Sequence, residues 1–189
     1  MKQISIIIIL FSIVSCGDSE LIPKPPTYLR LELPDHEYDV VVDDCPYAMY
    51  LPEMYKATNA INNNVRTCNK DIDLGPLNGV IHFSYIEMTN PLSEYVNFVN
   101  DKVDEHKIMA TGIRDKQIIR KEDSVFCTFF ELQGNVASPF QFYLTDSTSR
   151  FVSGVVYFNS RPNYDSLKPT LDYLKVDLNH LINTFTWKQ

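Results

Sequence analysis

The sequence predicts an α+β fold, an antiparallel β-sheet with helices packed on it and the last helix lying across the sheet. Three observations carry that expectation. Aromatic residues are plentiful, with 11 Phe, 11 Tyr and 1 Trp, and aromatic side chains favour strands. Several short segments alternate in polarity, while two longer ones repeat apolar residues at helical spacing. Their order is strands, helix, four strands, helix, without the strand–helix–strand alternation of a parallel doubly wound sheet.

The first segment is an address. Met1-Lys2-Gln3 precedes an eleven-residue, almost wholly apolar run from Ile4 to Val14. That run is too short to cross a bilayer core of about 30 Å comfortably and has the length of a signal-peptide hydrophobic region. Ile13-Val14-Ser15-Cys16 resembles the lipobox of bacterial lipoproteins. The resemblance implies cleavage after residue 15, a diacylglycerol on the Cys16 thiol and acylation of the new amino terminus. Two or three acyl chains make a stable anchor where one is marginal. Gly17 replaces the Asp of inner-membrane retention signals, so an outer-membrane location is expected, on its periplasmic face or at the cell surface. Residues 16–40 read as the lipidated Cys and a semi-rigid tether, with Pro23, Pro25, Pro26 and Pro34 fixing an extended backbone. Tyr28, Leu31 and Leu33 can pack back on the domain, which is expected over 41–189.

Within the domain, Cys45 to Leu51 is the first expected strand. Residues 57–67, with Asn59, Asn62, Asn63 and Asn64, read as a loop. Cys68 opens a short segment ending at Leu74. Gly79 to Ile86 is a clear strand, with Ile81, Phe83 and Tyr85 on one face. Asn90 followed by Pro91 predicts an N-cap and a first helical residue. Leu92, Tyr95, Val96, Val99 and Val103 carry that helix to Lys107. Strands follow at Met109–Ile119, Val125–Leu132, Phe140–Leu144 and Phe151–Phe158, the last two joined by the polar turn Asp146–Ser149. A long helix closes the chain, capped by Asp165 or Ser166, with Pro169 in its first turn. Its stripe is Leu167, Leu171, Leu174, Leu178, Leu181 and Phe185. The order of elements resembles the PsbP-like α/β/α sandwich, a likeness of fold that carries no function.

Charge and motifs exclude several functions. The chain has 17 basic and 24 acidic residues, net −7. Removing residues 1–15 removes only Lys2, leaving 16 against 24 and a balance of −8. A chain that grips nucleic acid needs clustered Lys and Arg, so no nucleic-acid partner is expected. No glycine-rich phosphate cradle, nucleophile elbow or dinucleotide fingerprint occurs. His36, His82, His106 and His180 show no metal-ligand spacing and read as ordinary surface or half-buried residues. Asp43-Asp44, Asp71 with Asp73, Asp104-Glu105 and Glu122-Asp123 read equally as turns or solvated faces. No metal, cofactor or small-molecule substrate is expected. Cys45 and Cys68 open neighbouring strand segments and are the better disulfide pair in an oxidising compartment. Cys127, among Phe126, Phe129 and Phe130, reads as a buried free thiol. Gly134 to Pro139 reads as a loop, or functionally as a contact surface.

Several stretches are more specific. Ile22-Pro-Lys-Pro-Pro-Thr-Tyr28, Cys45-Pro-Tyr47, the run GNVASPFQFYLTDSTSRFVSGVVYFNSRPNYDSLKP from Gly134 to Pro169, and Asp177-Leu-Asn-His-Leu-Ile-Asn-Thr-Phe-Thr-Trp187 resemble the gliding motility-associated lipoprotein GldD family of the Bacteroidota. The resemblance covers nearly the whole chain after the signal. It implies a lipoprotein needed for gliding, working with the trans-envelope motility and type 9 secretion apparatus and with other gliding-motility lipoproteins as partners. It carries over one functional residue, the lipidated Cys16, and no catalytic one. Two other classes stand beside it: a periplasmic ligand-binding module with a tyrosine-lined pocket between sheet and helix, and an envelope hydrolase built on close carboxylates or a Ser–His pair. Tyr143 and Tyr164 are the aromatics expected to make contacts. His82, His180, Asp146 and Ser138 are the polar residues a catalytic role would need.

Overall fold

A computed structural model describes residues 32–62 and 65–188. Cys16, the signal segment, Tyr28 and Leu31 lie outside the described residues. The chain runs β1 (Tyr38–Val41), β2 (Tyr47–Pro52), β3 (Lys56–Asn62), β4 (Val65–Asp73), a 3₁₀ turn (Gly75–Leu77) and β5 (Gly79–Glu87). Then come α1 (Leu92–Glu105), β6 (Ala110–Arg120), β7 (Val125–Gly134), β8 (Phe140–Thr145), β9 (Arg150–Phe158), α2 (Tyr164–Thr184) and β10 (Thr186–Trp187). Seven strands form one sheet in the order β3-β4-β5-β9-β8-β7-β6, and β1-β2-β10 form a small second sheet. Every pairing is antiparallel, so the fold is α+β.

Alternation along the strands decides what each face meets. On one face Ile72, Ile81, Phe83, Cys127, Phe129, Phe142, Leu144, Val152 and Val156 join the large core. Over them lie Leu171, Leu174, Leu178 and Leu181 of α2 and Tyr47, Met49 and Leu51 of β2. On the other face Phe130, Leu132 and Phe151 meet Val99 and Val103 of α1. Each such side chain, fully buried, contributes about 1.5–3 kcal/mol of transfer free energy. Leu33 packs against the large core, and β1 begins at Tyr38, within the range expected as tether.

Four expectations need correction. Where it is described, the asparagine-rich stretch is not a loop: residues 57–62 and 65–67 belong to the arms of the β3–β4 hairpin, and Asn63 and Asn64 lie outside the described residues. Asn59 stays in the strand because its amide donates to the Thr67 carbonyl at 3.0 Å and its carbonyl oxygen accepts from Lys70 Nζ at 2.9 Å. The N-cap of α1 is Pro91, without a side-chain bond. The amides of Thr89 and Asn90 instead donate to the Tyr95 hydroxyl. The cap of α2 is Asn163, whose side chain accepts from the Ser166 amide at 3.3 Å. The helix therefore starts earlier, and Pro169 sits inside it, not in its first turn. β10 was not anticipated; two residues pair with β2 only because α2 delivers them there. Between β8 and β9 the turn is held as expected of an Asx residue: Asp146 accepts from the amides of Thr148, Ser149 and Arg150.

Candidate functional site

The densest polar constellation gathers on α2. Asp177 lies three residues after Leu174 and one before Leu178, at the buried side of the helix, and is 2% exposed. A buried carboxylate must be fully hydrogen-bonded, and the chain meets that demand from three sides. His36 Nδ1 lies 2.7 Å from Oδ1, the Tyr38 hydroxyl donates to Oδ1 at 3.0 Å, and the Tyr55 hydroxyl donates to Oδ2 at 2.5 Å. The rings close over it: Tyr38 stacks on His180 at 3.6 Å and His36 on Tyr173 at 4.2 Å between centroids. Burial first, and the Asp177 carboxylate second, push the Tyr38 and Tyr55 hydroxyls far above the usual phenol range. Both phenols therefore stay protonated as donors. The carboxylate's oxygens are occupied, so the cluster clamps residues 36–38 to α2; in the same stack the His180 Nε2 is buried and has no hydrogen-bond partner among the described residues. Next to it, Pro34, Asp35, Glu37, Pro52, Glu53 and Tyr173 line an open depression of about 440 Å³.

A second buried charge sits by the β3–β4 hairpin. Lys70 is 2% exposed and bonds the Asp43 carboxylate and the Asn59 side chain, with its ammonium 5.6 Å from the Tyr47 ring centroid. Cys45 and Cys68 are joined beside it by a disulfide, their Cα atoms 5.4 Å apart and 23 residues apart in sequence. A loop of that size predicts that reduction costs about 3 kcal/mol in the chain-entropy account. Urea midpoints of oxidised and reduced protein check this; identical midpoints would refute it.

The same corner gives a pH prediction. Burial alone would raise the Asp43 carboxyl, but Lys70, the Cys45 amide and Asn59 outweigh it and hold it below the ordinary 3.8. Asp146 is likewise held low: burial raises it, and the Arg150, Ser149 and Thr148 amides more than reverse that. A carboxyl that binds its proton less tightly when folded stabilises the fold above its unfolded value, and that contribution is lost as pH falls through the folded value. The urea midpoint is therefore expected to hold down to about pH 5 and to fall below about pH 4. Asp43→Asn should flatten that fall.

The remaining sequence candidates are dispersed. His82 pairs with Asp71 at 2.6 Å on the exposed sheet face, and His106 closes the end of α1. Asp104, Glu105 and Asp123 pair with Lys107, Lys102 and Arg120. Asp73 accepts from the Gly75 amide. Among the described residues, no group of His, Cys, Asp and Glu is placed to hold a metal ion. Cys127 is free and buried, and burial pushes its thiol up to about 12, which makes it a poor nucleophile. The Gly134–Pro139 stretch turns mostly inward: Val136 and Ser138 are buried, and Asn135 accepts from the Tyr164 amide at 2.9 Å. Tyr143 and Tyr164 are half-buried. The Tyr143 ring stacks on Phe151 at 5.4 Å, and its hydroxyl accepts from Thr128 at 2.8 Å. Tyr143 also lines an apolar groove of about 270 Å³ with Leu92, Val96, Ile119 and Phe126, below the usual range of small-molecule sites.

Sequence reading passed over Asp177, Tyr55 and Lys70. One signal was available: Asp177 flanks the apolar stripe of α2, three residues after Leu174 and one before Leu178, and a charge at the edge of a buried face demands partners. Nothing local to His36, Tyr38 or Tyr55 announces that they supply them.

Against known proteins, a family model described as gliding motility lipoprotein GldD matches residues 18–187. No curated protein matches the chain. Among solved structures, the chain is similar to the solution structure of cyanobacterial PsbP (CyanoP) from Synechocystis. Identity there is 9%, coverage is 86% of this chain and 99% of that one, and the TM-score is 0.46. Among the described residues, no helix is long and apolar enough to cross a membrane.

Proposed function

The chain belongs to the gliding motility lipoprotein GldD family, and we propose from that premise that it is a non-enzymatic component of the gliding and type 9 secretion machinery. Lipid on Cys16 holds it at the outer membrane, and its folded domain assembles or stabilises the apparatus through protein contacts. The observation that carries this reading is the family match across residues 18–187, which takes in nearly all of the described domain. The occupied state of Asp177 and the inert thiol of Cys127 support a binding role, since neither offers a group ready for catalysis.

Interfaces draw their energy from a few aromatic or arginine anchors. Tyr143 is already committed to internal packing, so the exposed Phe98 of α1 and Tyr157 of β9 are the better contact candidates. Crosslinking in intact gliding cells, followed by pull-down and mass spectrometry, tests the proposal. Other gliding-motility lipoproteins or secretion components are the expected catch. Capture of soluble periplasmic proteins alone would contradict it.

A further inference from the structure

The turn between α1 and β6 carries the most exposed large apolar side chain among the described residues. Ile108 is 92% exposed and Met109 beside it 60%. Two adjacent apolar residues at a tip, with nothing among the described residues over them, leave solvent contact that a partner surface would relieve.

Strand register locates this tip. Ala110 pairs with Gly134 at one end of the sheet, and Asn135 accepts from the amide of Tyr164, the first residue of α2. Ile108 and Met109 therefore stand at the end of the domain where α2 begins. The incoming chain runs the same way as α2. The Pro34 carbonyl accepts from Tyr173, His36 and Tyr38 reach Asp177, and Tyr38 stacks on His180. Traced backwards from Tyr38 to Pro34, the described chain runs toward the start of α2, the end that carries the tip. The sole tryptophan, Trp187, marks the opposite end, where its indole donates to the Ser124 carbonyl. Fifteen residues lie between Cys16 and Glu32, sixteen steps of chain with a reach of at most about 55 Å.

We propose that Ile108 and Met109 form a membrane-contacting tip that inserts into the apolar boundary of the bilayer to which Cys16 anchors the chain. This rests on the lipoprotein reading above. Two side chains would not hold a free domain on a membrane, but an anchored chain keeps them at high local concentration beside it. Lys107 is paired with Asp104 and the processed chain is acidic, so the contact is apolar and gains nothing from anionic lipid. It would set the orientation of the domain, with Trp187 directed away from the bilayer.

The test uses the full lipidated chain in phosphatidylcholine vesicles, with and without brominated acyl chains. Ile108→Trp and, as a second probe, Met109→Trp place an indole at the exposed tip without entering the core. Brominated lipid is expected to remove about half of the added tryptophan's emission, with a blue shift. Trp187 of the unsubstituted chain should keep its emission, and raising salt should change neither result. A chain that floats with the vesicles while both added tryptophans stay unquenched overturns the tip and leaves the anchor standing. Equal quenching of Trp187 overturns the orientation. A chain that does not float removes the anchor and the tip together. Added tryptophans that stay unquenched by lipid but shift blue when envelope extract is added would assign the tip to a protein instead.

Discussion

Gly154→Ala is expected to destabilise the domain by about 3 kcal/mol, the upper part of the range for forcing atoms into a packed core. Gly154 on β9 stands directly opposite Phe142 on β8. A Cβ there would overlap the Cζ, Cε1 and Cε2 atoms of the Phe142 ring. The ring cannot retreat, because Phe142 has no exposed surface and lies 6.4 Å from the Phe83 ring between centroids. The glycine therefore exists to let an aromatic ring cross it, an arrangement found where sheets pair glycine with an aromatic neighbour. Chemical denaturation of Gly154→Ala, Phe142→Leu and the double variant forms a cycle. The double variant should recover part of the loss, whereas strict additivity would show that the ring is not what excludes the side chain.

Asp177→Ala is expected to cost about 2–4 kcal/mol, because Tyr55, Tyr38 and His36 would lose one shared acceptor in a poorly solvated place. The larger consequence is local. Residues 36–38 are tied to α2 mainly through this carboxylate, so limited proteolysis should cut the 32–41 segment in the variant and spare it in the parent chain. Asp177→Asn keeps an acceptor and should fall between the two. A segment that resists protease in Asp177→Ala would mean that the stacking of Tyr38 on His180 and His36 on Tyr173 is enough to hold it.

Where structure follows local pattern, the sequence was readable. β5 alternates and both helices repeat at helical spacing because one face of each is buried, while β7, β8 and β9, covered on both faces over much of their length, are located by their aromatic and β-branched runs. β10 fails that test: two residues cannot display a period, and they become a strand only once α2 has placed them. The β3–β4 hairpin departs from its local pattern for a different reason. Asparagine favours turns by bonding nearby backbone, yet Asn59 spends its side chain on Thr67 and Lys70 across the hairpin, so the local preference is overridden. Asp177 is legible only as a charge at the edge of the α2 stripe; its partners come from 122 to 141 residues away.

In the proposed role the domain serves gliding by binding, not by turnover. Complementation of a deletion strain tests it most directly, with each variant's level matched by immunoblot before spreading on a surface is scored. Deletion is expected to stop gliding and the parent chain to restore it. Stable variants of single polar residues, His82→Ala first because it is exposed and outside the core, should restore it in proportion to their abundance. A deletion strain that glides normally, or a stable and normally abundant single His, Asp or Ser variant that abolishes gliding outright, would contradict the account.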